Sequence, residues 1–286
     1  MSNEITKKNV TSRTFLKMKN NGEKISMLTA YDYACAKYAD EMGVDSILVG
    51  DSLGMTMLGY DDTVKVTMND MLVFTGAVSR GVKRAMVIAD MPFLSFQISK
   101  EQTLLNAGKL IQAGANAVKI EGGSDFIIEQ ISALTNAGIG VVAHLGFTPQ
   151  YISTIGGYYV QGKSFENTIK MLETAKKLEA AGAFALVLEM VSEESAKYIS
   201  ENLTVPTIGI GSGRYCDGQV LVIDDILGRY HGNTPKFVKQ YANIKEIIKH
   251  AISDYNSDVK NGLFPGEEHV FKLTQEEKAK LDNIVK

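Results

Sequence analysis

The feature that most constrains this chain is a rhythm of short apolar runs, each closed by a polar residue or glycine and most followed by a stretch of helical spacing. The runs occupy 25–30, 46–50, 85–89, 117–120, 140–143, 184–188, 206–210 and 220–223 and read as eight strands. They lack clean in/out alternation, which indicates strands buried on both faces, as in a parallel sheet wrapped by helices. Amphipathic stretches at 32–41, 69–80, 100–112, 125–135, 166–180 and 193–201 supply those helices. Gly43, Gly114, Gly138 and Gly182 each sit just before an apolar run, where a left-handed residue ends a helix before the next strand. Eight strands with a repeated αβ junction favour a (β/α)8 TIM barrel over an open doubly wound sheet.

The chain then divides into an N-terminal capping segment (1–23), a catalytic barrel with C-terminal helices (24–271) and a charged tail (272–286). Pro235 is expected to open about two helices that run to Lys260, and Phe264-Pro265-Gly266 to mark a turn.

Thirty basic against 33 acidic residues leave a formal charge of -3, so nucleic acid and anionic membrane are poor partners and a small polar ligand is the better expectation. No apolar leader and no run long enough to span a bilayer is present. Cys35 and Cys216 lie far apart with no C-x-x-C spacing, which suggests neither a disulfide framework nor a zinc site and fits the cytoplasm.

Polar residues close several strands: Asp51, Asp90, Glu121, His144 and Glu189, spaced by about one βα unit each. In a barrel they converge on the carboxyl-end face, where active sites are built. Asp51, Asp90 and Glu121 would repel one another unless a cation or proton intervened. Oxygen ligands match Mg²⁺, which takes few protein carboxylates directly, so one of the three acids is expected to act through water. Each acid taken singly also fits a helix N-cap. Lys119 points to the same side as Glu121 and either holds a substrate carboxylate or pairs with Glu121. His144 is either a satisfied buried group or a catalyst, and it is the least secure of the site residues. Glu189 is a fourth ligand, a helix N-terminal acid or a general base, the last requiring burial. The 209–213 glycine loop either cradles a phosphate or is turn chemistry; Gly122-Gly123, Gly156-Gly157 and 158–162 mark chain reversals or a lid.

Taken together, these residues resemble the ketopantoate hydroxymethyltransferase family. The likeness is carried, in order, by Thr29-Ala30-Tyr31-Asp32, Val49-Gly50-Asp51-Ser52-Leu53-Gly54-Met55, Ala89-Asp90-Met91-Pro92-Phe93, Lys119-Ile120-Glu121-Gly122-Gly123 and His144-Leu145-Gly146-Phe147-Thr148-Pro149-Gln150, then by 209–213 with Asp217-Gly218-Gln219 and by Phe264-Pro265-Gly266-Glu267-Glu268-His269. The resemblance implies Mg²⁺ near Asp51, Asp90 and Glu121, substrate contacts from Asp51, Ser52, Asp90 and Lys119, and Glu189 as proton acceptor. It implies 3-methyl-2-oxobutanoate and 5,10-methylenetetrahydrofolate as substrates, a route to 2-dehydropantoate through a Mg-stabilised enolate, and a homo-oligomer, a homodecameric ring. Lys65, Phe74 and the extra tail depart from the family pattern, and none replaces an implied ligand.

Two other readings share the acid-rich mouth: a Mg²⁺-dependent lyase or aldolase on another 2-oxoacid, without folate, and a non-catalytic binding barrel. Folate dependence and exchange of the C3 proton separate them.

Overall fold

The computed structural model describes residues 9–229 and 234–284; the first eight residues of the capping segment and the last two of the tail lie outside them. Eight parallel strands close in sequence order into a barrel. They are β1 (Ile25–Thr29), β2 (Ser46–Val49), β3 (Met86–Asp90), β4 (Ala117–Glu121), β5 (Gly140–Gly146), β6 (Ala185–Glu189), β7 (Thr207–Ile210) and β8 (Gly218–Leu221). Outside them run α1 (Ser12–Asn20), α2 (Tyr33–Glu41), α3 (Leu53–Thr56), α4 (Met68–Gly81), α5 (Lys100–Gln112), α6 (Asp125–Asn136), α7 (Ile152–Ile155), α8 (Phe165–Ala180), α9 (Glu193–Glu201) and α10 (Ile223–Leu227).

The helices start where the sequence supplies caps: Thr11, Asp32, Thr67, Ser99, Ser124 and Ser164 each accept from a backbone N–H in the first turn of the helix that follows. They stop at the glycines expected to stop them, since Gly43, Gly114, Gly138 and Gly182 all have φ between 85° and 111°. β2, β3 and β4 are buried at every position, as the unbroken apolar runs require. β1 and β8 instead alternate, with Ser26 and Gln219 exposed, because the β7–β8 connection carries no helix.

Two expectations are corrected. The eighth strand starts at Gly218 rather than at Val220, because β8 and β1 approach so closely that a Cβ on Gly218 would stand 2.5 Å from the Ile25 carbonyl oxygen. Ile223 already belongs to α10, its N–H donating to Thr29 Oγ1 at 3.0 Å. Pro235 opens no helix; one helix, α11 (Ile244–Lys260), follows that segment, and α12 (Gln275–Ile284) forms the charged tail.

The core fills the barrel with Met27, Leu48, Met86, Ile88, Val142, Val187, Ile208 and Val220, and Val10 and Phe15 join it from the N-terminal segment. Phe15 is fully buried and meets Phe184 edge to face at 6.0 Å. Lys19 at the end of α1 is tied to Asp217 at 2.8 Å and to the Ser200 carbonyl at 2.9 Å. The chain falls into two compact units: residues to 226 with 231–239, and 227–230 with 240–286. In the second unit α11 buries no residue and exposes Ile247, Ile252, Tyr255 and Val259.

Candidate active site

Parallel register sets the site. β3 and β4 pair Asp90 with Lys119, β4 and β5 pair Glu121 with His144, and β5 and β6 pair Gly146 with Glu189. Asp51 follows β2 across Gly50 and donates its backbone N–H to Asp90 Oδ2 at 3.0 Å. All five strand-end residues, with Lys119 and Ser52, line one cavity of about 200 Å³.

The charged groups alternate in sign across the barrel mouth. Lys119 Nζ stands 3.2 Å from Asp90 Oδ1 and 3.5 Å from Glu121 Oε1. The same Glu121 oxygen is 3.3 Å from His144 Nδ1, and His144 Nε2 is 3.4 Å from Glu189 Oε2. Asp51, Asp90, Lys119, Glu121 and His144 are buried; the Glu189 side chain keeps 18% exposure at the rim, less buried than a base in this position was expected to be.

Burial pushes the Asp51 carboxyl well above its ordinary value, and the charges of Glu121 and Asp90 add to that. Burial likewise raises Asp90, against the opposing pull of Lys119. At Glu121 burial acts upward, but the Lys119 charge and the His144 hydrogen bond outweigh it and hold the carboxyl at about 2. Burial and Lys119 disfavour a charged His144, yet Glu121 and Glu189 prevail and lift it to about 9. Lys119 ends above the usual lysine value, because Asp90, Glu121 and Asp51 outweigh its burial. Asp51, Asp90, Glu121 and Glu189 face Lys119 and His144 in the cavity.

An excess of acidic groups suits a divalent cation, and Asp90 Oδ1, whose partner is the Lys119 ammonium at 3.2 Å, faces the same cavity. Asp51 and Asp90 are candidates to hold the ion: Gln150 takes one Asp51 oxygen, and the Asp90 oxygens meet Lys119 and the Asp51 backbone N–H. Glu121 has both oxygens engaged, Oε1 by Lys119 and His144 and Oε2 by the Gln150 backbone N–H at 3.1 Å. Among the described residues no three acidic, histidine or cysteine side chains form a ready cage.

Ser52 Oγ shares a 2.8 Å hydrogen bond with the buried Tyr31 hydroxyl. Gly50 must be glycine here, since a Cβ would come within 2.8 Å of Ser52 Oγ. Met55, Phe147, Ile152, Tyr158, Ile210 and Val222 supply the apolar part of the lining. Tyr158 stacks on Phe147 at 4.8 Å, so the 158–162 loop closes one side of the mouth.

The 209–213 loop is packed by the protein itself. Ser212 Oγ donates to the Leu188 carbonyl at 2.7 Å and accepts from Val191 N–H at 3.0 Å. Phe237 and Glu193 fill the sites of Cβ atoms on Gly211 and Gly213, both at positive φ, so glycine is required at these turns, which also line a cavity of about 1110 Å³. Lys65 makes an exposed ion pair with Asp61 and Phe74 lies half-buried on α4; neither lines the cavity. Gln150 is the residue that sequence reasoning missed: its side-chain amide donates to Asp51 Oδ2 and to the Met91 carbonyl, both at 2.9 Å.

A barrel with charged groups of both signs buried at the carboxyl ends of its strands is the architecture of an enzyme. The family model of ketopantoate hydroxymethyltransferase matches residues 9–267, and the chain belongs to that family of transferases. A 3-methyl-2-oxobutanoate hydroxymethyltransferase of Clostridium novyi (strain NT) is 54% identical over 266 residues, 93% of this chain and 96% of that protein. One from Syntrophus aciditrophicus (strain SB) is 53% identical over 272 residues, 95% of this chain and all of its own length. Among solved structures, a phosphonopyruvate hydrolase in complex with oxalate and Mg²⁺ aligns with TM-score 0.58 at 12% identity, covering 96% of each chain. A 2,3-dimethylmalate lyase of the PEP mutase/isocitrate lyase superfamily aligns with TM-score 0.57 at 14% identity, covering 96% of this chain and 99% of its own. At such identities the likeness is one of fold. Among the described residues no helix is long and apolar enough to cross a membrane.

Proposed function

We propose that the chain transfers the one-carbon unit of 5,10-methylenetetrahydrofolate to C3 of 3-methyl-2-oxobutanoate as a hydroxymethyl group, water supplying its oxygen and tetrahydrofolate leaving, to give 2-dehydropantoate for pantothenate synthesis, with Mg²⁺ held by Asp51 and Asp90 and reached by Glu121 through water. The observation that carries this reading is one cavity with Asp51, Asp90 and Lys119 among its polar groups and Glu189 at its rim.

When bound, Mg²⁺ supplies Lewis-acid stabilisation of negative charge developing on the 2-oxoacid oxygens. Lys119 and Ser52 hold the substrate carboxylate, the one by charge and the other by its hydroxyl. Glu189 accepts the C3 proton, a contribution of roughly 10²- to 10⁴-fold in rate. His144, between Glu121 and Glu189, holds the base in place and carries compensating charge. At about 200 Å³ the cavity is below the ~300–1,000 Å³ typical of drug-sized ligands, so it suits the oxoacid while the folate stands at the mouth.

The test is mass-spectrometric detection of 2-dehydropantoate from purified protein, both substrates and Mg²⁺, with and without EDTA. Product abolished by chelator supports the reading; its absence from folded, Mg²⁺-supplied protein overturns it. The reading extends to a cytoplasmic homo-oligomer, a decameric ring, on the strength of the family resemblance alone. Sedimentation velocity that finds a monomer at micromolar concentration removes this extension.

A further inference from the structure

We propose that Gln150 is a positioning residue for the divalent cation: it fixes the carboxylate of Asp51. The inference rests on the metal reading above. Gln150 is 3% exposed and sits in the 3-10 turn Pro149–Tyr151 after β5. Its amide nitrogen donates to Asp51 Oδ2 after β2 and to the Met91 carbonyl after β3, and its amide oxygen accepts from Gln97 Nε2 at 3.3 Å. Its backbone N–H takes one oxygen of Glu121 at the end of β4. One residue therefore ties the loops after β2, β3 and β5 to the end of β4.

The chemistry of an amide is required. Gln150 Nε2 has two hydrogens and each has an acceptor, which no carboxylate or apolar side chain of that length provides. With Oδ2 engaged, Asp51 has its other oxygen to offer an ion, and its rotamer is held before the ion arrives. Pro149 contributes as well: it has no N–H, so Gln150 supplies the turn's first backbone donor, the one that reaches Glu121. Hydrogen-bond partners of metal ligands of this kind are typically worth 10- to 100-fold in metal affinity.

The experiment is calorimetric titration of Mg²⁺, and of Mn²⁺ as a second probe, into wild type, Gln150→Leu and Gln150→Met, with melting temperature recorded for each. The expected result is cation affinity lowered roughly 10- to 100-fold in both variants while they stay folded. Gln150→Met keeps the side-chain length and flexibility, so it carries the test if the leucine variant unfolds. Wild-type affinity in a folded variant overturns the proposal and leaves Gln150 a packing residue. Failure of wild type itself to bind either cation overturns the metal reading and this proposal with it.

Discussion

Lys119 and Asp90 stand opposite one another in the β3–β4 register, with Nζ 3.2 Å from Oδ1 and both side chains almost wholly buried. Neither is stable there alone, since taking one charge from a buried pair leaves the other uncompensated. Lys119→Ala is therefore expected to weaken 2-oxoacid binding and to lower stability by about 3–5 kcal/mol. Calorimetric binding and urea unfolding measure the two effects; an unchanged dissociation constant with lowered stability returns Lys119 to a structural ion pair.

Asp90→Asn removes one carboxylate charge from the proposed ion site while conserving volume. Weaker Mg²⁺ binding is expected, with the backbone bond from Asp51 kept by the amide oxygen. Titration of Mg²⁺ checks this, and wild-type affinity would remove Asp90 from the ligand set.

Glu189→Gln is expected to keep cation and oxoacid binding and to lose turnover by roughly 10²- to 10⁴-fold. Loss of the substrate's C3–H signal in D₂O, followed by proton NMR, reads the proton-transfer step without folate. Exchange at the wild-type rate would take Glu189 out of the role of base.

His144 makes the cation-free protein sensitive to alkali. Its folded value, about 9, lies above the unfolded 6.5, so its contribution is complete below about pH 6.5 and is lost as pH rises through 9. The shift corresponds to a few kcal/mol at most, shared with Glu121. Urea midpoints of EDTA-treated protein should fall across that window, and His144→Gln should flatten the fall.

Phe15 closes the end of the barrel opposite the site. Phe15→Ala should cost about 3–5 kcal/mol, as for other buried phenylalanines, with ligand affinity retained in the folded fraction. Thermal unfolding monitored with a 2-oxoacid titration separates the two; an unchanged midpoint would mean that the N-terminal segment is not part of the core.

How far the sequence foretold this arrangement depends on the range of the forces involved. Helix caps, the glycines at the αβ junctions and the polar residues closing strands are local signals, and they placed the barrel, Asp51, Asp90, Glu121, His144 and Glu189 at one mouth. Lys119 and Glu121 were readable as neighbours because strand side chains alternate with period two. Gln150 was not readable as a partner of Asp51, because the two lie 99 positions apart and meet only once the barrel closes. The start of β8 was missed for the same reason: Gly218 is required by the approach of β1, not by its own neighbours in sequence. Residues 209–213 could be read either as a cradle or as a turn, since a stretch rich in glycine looks the same whether a ligand or side chains such as Phe237 and Glu193 stand beside it.

Charge is unevenly spread around the mouth. Charged side chains come from the β2 to β6 ends and apolar Ile210 and Val222 follow β7 and β8, while Met55, Phe147, Ile152 and Tyr158 add apolar surface from the connections after β2 and β5. A 2-oxoacid turned end for end would press its carboxylate against hydrocarbon and its branched tail against ions, losing on both sides. For the proposed 2-oxoacid, orientation would then follow from where the charges sit around the mouth.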